Sequence, residues 1–204
     1  MASTTTTDSS ETHLPFPVHR WTVEQFHALT SAGLLDDDDR VELLEGVIVP
    51  KMNASPRHSA TVQAVHEALR AVLPAGWSLR IQDVLTTDDS QPEPDVAVVS
   101  GTHRDYCQSH PTAAQTTLVV EVADSSFARD LAKRRTYARA GIATYWIVNL
   151  IDQRLEAYSQ PSGPTDEPKY GRREEFVMTD SIPVVIAGCE IGCVAGSEIL
   201  GLGS

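Results

Sequence analysis

No stretch of this chain approaches the roughly 18 consecutive apolar residues that a membrane-spanning helix needs, so a transmembrane reading is dropped. Cysteine is scarce. Cys107, Cys189 and Cys193 are odd in number and stand at no established metal-ligand spacing, which argues against both a disulfide framework and a zinc site and points to a reducing cytoplasm. The first thirteen residues, MASTTTTDSSETH, contain neither an apolar run nor any Lys or Arg, so they are neither a signal peptide nor an Arg-rich transit peptide. A disordered polar tail over residues 1–15 is expected, followed by a single domain over 16–204, long enough to bury a core without disulfides or a structural metal. Cations are also few: 16 Lys and Arg face 28 Asp and Glu, for a formal net charge of −12. That balance disfavours a protein whose whole surface wraps nucleic acid, because phosphate neutralisation supplies much of such affinity.

The acid is unevenly placed. It gathers in Asp36 to Asp39, Asp88 with Asp89, and Asp166 with Glu167, all in segments that read as loops. Lys133, Arg134, Arg135 and Arg139 lie together on one expected helix, where they form either a local positive field for an approaching substrate or simply a solvated face.

Periodicity gives the element order. Thr22 with Gln25 is a capping box and Trp21 with Phe26 a hydrophobic staple, so a first helix starts there and stops at Gly33. Arg40 to Pro50 reads as a hairpin turning at Glu45-Gly46, with a continuous helix as the weaker alternative. Ser55 and Pro56 open an amphipathic helix over 56–73, with Val62, Val65, Leu69 and Val72 on one face, ended by Pro74 and Gly76. Strands are expected at Trp77 to Leu85, Asp95 to Val99 and Thr117 to Val122, then a helix from about Asp130 to Ala140 capped by Gly141, then strands at Tyr145 to Asn149 and Arg154 to Ser159. Pro161 to Gly171 reads as a loop before weaker apolar runs near Phe176, Val184 and Ile191. Strands gathered around a few helices indicate an α/β fold with a mixed central sheet flanked by helices.

Three residues carry the chemistry. Asp95 opens an apolar strand in QPEPDVAVVSG; alone it is better explained by turn capping than by catalysis. Glu121 interrupts the apolar run LVVEVADSS, and a carboxylate so placed must be paired, metal-bound or neutralised, because desolvating it unpaired is costly. Asp130, Lys133 and Tyr137 fall at i, i+3 and i+7 and share one helical face, either as an ion pair or as a face that brings the Lys133 ammonium to both acids. Two carboxylates and one ammonium suit phosphodiester hydrolysis. Mg²⁺ prefers carboxylate and water oxygens, polarises a phosphoryl oxygen and acidifies bound water, while an ammonium orients that water and stabilises developing charge.

From RVELLEG through SPRHSATV, PEPDVAVV and LVVEVADSS to DLAKRRTYARAGIATYWIVN, over most of residues 20–160, the sequence resembles the Uma2 family of endonucleases in the PD-(D/E)XK superfamily. The resemblance implies a restriction-endonuclease-like core in which Asp95 and Glu121 hold Mg²⁺, with Mn²⁺ as a substitute, and Lys133 is the catalytic lysine. Position 123, two after Glu121, is Ala and not the superfamily lysine, so the lysine comes from the following helix. Asp130 precedes Lys133 by three residues where about four are expected. Glu42 matches an acidic position that would complete the metal shell, directly or through water; its plainer reading is an exposed strand residue. His58 would cap its helix or contact phosphate, and Gln82 would line the cleft or bond across the sheet. The resulting expectation is a Mg²⁺-dependent DNA endonuclease, acting as a homodimer so that two subunits address the two antiparallel strands. Its competitors are a non-catalytic nucleic-acid or protein binding module and, behind it, a small phosphoester hydrolase on the same fold.

Overall fold

The first helix, α1 (Val23–Ser31), starts where its cap dictates. The Thr22 hydroxyl accepts from Gln25 N at 3.1 Å and the Gln25 side chain accepts from Thr22 N at 3.0 Å. The computed structural model describes residues 18–201, so the expected tail over 1–15 lies outside the described residues. After a short 3₁₀ turn at Asp37–Asp39 come β1 (Val41–Leu44) and β2 (Val47–Pro50), an antiparallel hairpin. Glu45 and Gly46 both take positive φ, 47° and 75°, as a two-residue hairpin turn that follows strand twist requires.

Helix α2 (Pro56–Val72) has Ser55 as N-cap and proline in its first turn. Next are β3 (Trp77–Ile81), β4 (Val96–Ser100), β5 (Thr116–Ala123), α3 (Phe127–Arg139), β6 (Thr144–Asn149), β7 (Arg154–Pro161) and β8 (Tyr170–Val177). The chain closes with the hairpin β9 (Ser181–Ile186) and β10 (Cys189–Ala195), then α4 (Gly196–Leu200).

One six-stranded sheet in the order β3-β4-β5-β6-β7-β8 organises the molecule. Neighbours are antiparallel except β5 and β6, which are parallel and joined through α3. Because side chains alternate along a strand, Leu118, Val120 and Val122 of β5 enter one core with Val62, Val65 and Leu69 of α2 and Ile182, Val184 and Val194 of the last hairpin. Val119 and Ala123 enter the other, with Tyr137 of α3 and Tyr145 and Ile147 of β6. The mixed sheet flanked by helices is the expected architecture.

Several boundaries differ from the pattern reading. The strand expected to reach Leu85 ends at Ile81, because Gln82 adopts φ 46° and turns the chain out of the ladder. Helix α3 begins three residues before Asp130, at Phe127. The expected loop is shorter than Pro161 to Gly171: β7 includes Pro161 and β8 starts at Tyr170. Strand β8, YGRREEFV, is a polar edge strand whose charge conceals it from an apolar-run criterion. Among the described residues no helix is long and apolar enough to cross a membrane.

Candidate active site

Asp95 immediately precedes β4, and the pairing of Val96 with Val120, continued by one residue, sets Asp95 opposite Glu121 on β5. Both are odd-numbered on their strands, like Ala97 and Val119, so both fall on the face that α3 covers. Asp95 is held from three sides. Its Oδ2 accepts from Val122 N at 2.8 Å and lies 3.1 Å from His58 Nε2, and its Oδ1 accepts weakly from Gln82 Nε2 at 3.4 Å. His58 is the third residue of α2, where its backbone N–H donates to the N-cap Ser55 Oγ at 3.1 Å. Ser55 is therefore the cap, and the His58 ring is free to turn to the sheet. The hydrogen bond to Asp95 raises the His58 pKa above its usual value.

Glu121 is only 3 % exposed. Its Oε1 accepts from Lys133 Nζ at 3.0 Å and from the Tyr137 hydroxyl at 2.8 Å, so two of the three residues aligned on the α3 face meet it. Burial pushes the Glu121 carboxyl up to about 8, with Lys133 opposing the shift. The same burial raises Tyr137 well above the usual tyrosine range. Lys133 goes the other way: burial disfavours its charge, but Glu121 and Glu42 overcome that and hold its pKa above the ordinary lysine value.

Glu42 belongs to this centre but is not the exposed strand residue that is its plainer reading, being 3 % exposed. Its Oε1 lies 3.3 Å from Lys133 Nζ and 2.6 Å from Arg129 Nη2, and its Oε2 accepts from Glu93 N at 3.3 Å. With both oxygens occupied, Glu42 holds the cations. Asp130 turns to the start of its own helix, where Ser126 Oγ donates to it, and burial pushes its carboxyl up to about 6.

Asp95, Glu121, Lys133, Glu42, His58, Gln82 and Asp130 all line one cleft of about 920 Å³, and Tyr137 stands behind Glu121. Its rim carries residues that sequence reasoning passed over: Arg40, Lys51, Ser55, Glu93, Asp124 and Arg129. Arg129 alone left a signal, since it precedes Lys133 by four residues and so shares its helical face. Lys51 pairs with Glu93 at the mouth, and Ser55 Oγ donates to Asp124. The basic cluster noted in the sequence divides. Lys133 enters the cleft, whereas Arg135 and Arg139 bind Glu45 and Arg134 lies over the Tyr158 ring.

The lining holds seven acids, Asp38, Glu42, Glu93, Asp95, Glu121, Asp124 and Asp130, against the cations Arg40, Lys51, Arg129 and Lys133. No group of three or more His, Cys, Asp or Glu side chains is gathered to hold an ion, among the described residues. The remaining donor set is two carboxylates, Asp95 through Oδ1 and Glu121 through Oε2, which has no hydrogen-bond donor among the described residues. That set fits an ion that binds one or two protein carboxylates and keeps its other positions for water and phosphate, as Mg²⁺ does.

Residues 23–189 match the family model of Uma2, described as "Putative restriction endonuclease". The chain belongs to the Uma2 family. Among solved structures, the Uma2 chain is similar to a putative nuclease of the DUF820 group from Anabaena variabilis ATCC 29413, with a TM-score of 0.67 at 16 % identity, covering 91 % of this chain and 99 % of that one. At that identity the likeness establishes the shared fold. No functionally curated protein matches the sequence.

Proposed function

We propose that the protein is a PD-(D/E)XK-type endonuclease that hydrolyses DNA phosphodiester bonds with Mg²⁺, or Mn²⁺ in its place, held by Asp95 and Glu121. One observation carries the reading: a buried lysine bonded to Glu121, with Asp95 opposite Glu121 on the adjoining strand, all opening on one cleft. A merely structural ion pair has no need of a cleft, and burying such charges is costly unless they are paired and bonded. The family description and the shared nuclease fold support the same chemistry.

Bound between the two carboxylates, the metal would acidify a water molecule and polarise a phosphoryl oxygen. The chain's own residues do the rest. Val122 N–H and His58 engage Asp95 Oδ2, so Oδ1 carries only the weak bond from Gln82; Tyr137 and Lys133 engage Glu121 Oε1, and Oε2 has no donor among the described residues. Lys133, kept charged by Glu42 and Glu121, would orient the attacking water by donating to its oxygen and stabilise charge building on the phosphate. Two subunits related by a two-fold axis would address the two strands of a duplex. The three free cysteines, all exposed, suit a reducing cytoplasm.

Single- and double-stranded DNA pools incubated with Mg²⁺ or Mn²⁺ test the reading. Asp95→Asn and Lys133→Ala should each abolish cleavage, and calorimetry should show that only Asp95→Asn loses metal affinity. Cleavage by Lys133→Ala at the parental rate, or no metal binding by the parent even with DNA present, would replace this reading with a non-catalytic binding module.

A further inference from the structure

We infer that Arg129 is a substrate-binding residue, a preset guanidinium that grips a DNA phosphate at the rim of the cleft. This deepens the nuclease reading and rests on it. Arg129 lies one turn before Lys133 on the same face of α3 and lines the same cleft. Its Nη1 donates to the Pro50 carbonyl of β2 and its Nη2 to Glu42 Oε1 of β1, so the hairpin fixes the plane of the fork. A guanidinium has five N–H groups. Two are used here, and no other acceptor contacts the rest among the described residues, while the side chain stays 23 % exposed.

A pure counter-ion for Glu42 has no reason to be built this way. Glu42 already has Lys133 at 3.3 Å, and a charge-neutralising arginine would engage its carboxylate with both arms of the fork. Arg129 instead puts one arm on a single carboxylate oxygen and the other on a main-chain carbonyl, leaving its Nε edge unbonded. The other α3 arginines cannot substitute, since Arg135 and Arg139 are bound to Glu45 and Arg134 stacks on Tyr158. A fork held rigid before substrate arrives loses little freedom on gripping a planar phosphate edge.

The test is binding of a fluorescein-labelled duplex of randomised sequence, in Ca²⁺, with the probe checked intact by gel, across a series of salt concentrations. Arg129→Gln should weaken binding about tenfold and flatten the slope of log affinity against log salt by about 0.9, the share of one phosphate contact. A variant with the parental slope would overturn the assignment and leave the nuclease reading standing. A parent that binds neither this duplex nor a single-stranded probe in any divalent cation would overturn both. A measurement on the parent does not depend on how a variant folds: with ¹⁵N-arginine labelling, the Nε–H resonance missing from the Arg129→Lys spectrum should shift when the duplex is added, and its failure to move would equally overturn the assignment.

Discussion

Asp130 shows how one carboxyl reports its surroundings. Burial raises its pKa from 3.8 to about 6, so the folded protein favours the neutral acid more than the unfolded chain does. The stability this contributes is fully present below about pH 4 and is lost as pH rises through about 6, up to about 3 kcal/mol for a shift of this size. Glu121 acts in the same direction, between its ordinary 4.5 and about 8. In EDTA the melting temperature should therefore fall as pH is raised from 4 to 7, and Asp130→Asn, which mimics the neutral acid, should flatten that fall. An unchanged slope would mean that Asp130 is ionised in the folded protein. The sequence exposed Glu121 plainly, because a carboxylate inside LVVEVA has few explanations. It hid the partners of Glu42 and the bonds of Arg129, because no local pattern tells which strand will lie over a helix.

At the scale of elements, the hairpin β1–β2 and helix α3 are laced together by two acids three residues apart. Glu42 takes Arg129 and Lys133; Glu45 takes Arg135, Arg139 and the Thr136 hydroxyl. Gly46 sets the turn between those acids and the next strand. A Cβ there would stand 2.9 Å from Arg20 Cβ and 3.0 Å from the Trp21 carbonyl, at φ 75°. Gly46→Ala should thus cost about 1–3 kcal/mol in denaturant unfolding and lower cleavage by loosening Glu42 from Lys133. Equal stability would show that the turn relaxes without moving the hairpin. The turn was legible from Glu45-Gly46 alone, as were the caps at Thr22 and Ser55. The end of β3 was not, because Gln82 leaves the ladder at a positive φ that a glutamine does not advertise.

At the scale of the whole molecule, the parallel pair β5–β6, the one such strand pair among the described residues, is what brings the candidate site together. Returning through α3, the chain brings the helix carrying Lys133 back over the strand carrying Glu121, and the antiparallel neighbour β4 sets Asp95 alongside. The βαβ unit was readable from strand, helix, strand periodicity; the long order β3 to β8 was not, since strand neighbours are chosen by non-local pairing. If Asp95 and Glu121 do hold an ion, saturating Mn²⁺ at about 100 times its dissociation constant should add about 2.7 kcal/mol of stability, raising the melting temperature by about 5–10 °C for a chain of this size. Asp95→Asn should abolish the rise. A parent whose melting temperature ignores Mn²⁺ would count against the site.

The ammonium shared between Glu42 and Glu121 also governs how the protein can be handled by amine chemistry. Acylating dyes attack only the uncharged amine, and the chain has just three lysines, Lys51, Lys133 and Lys169. Lys133 is 6 % exposed and held above its ordinary pKa, so it is shielded twice over, and Lys51 is tied to Glu93. Lys169 is exposed on the approach to β8, away from the cleft lining. An activated-ester fluorophore thus reaches the side chains of the exposed Lys169 and the half-buried Lys51 and leaves Lys133 unmarked.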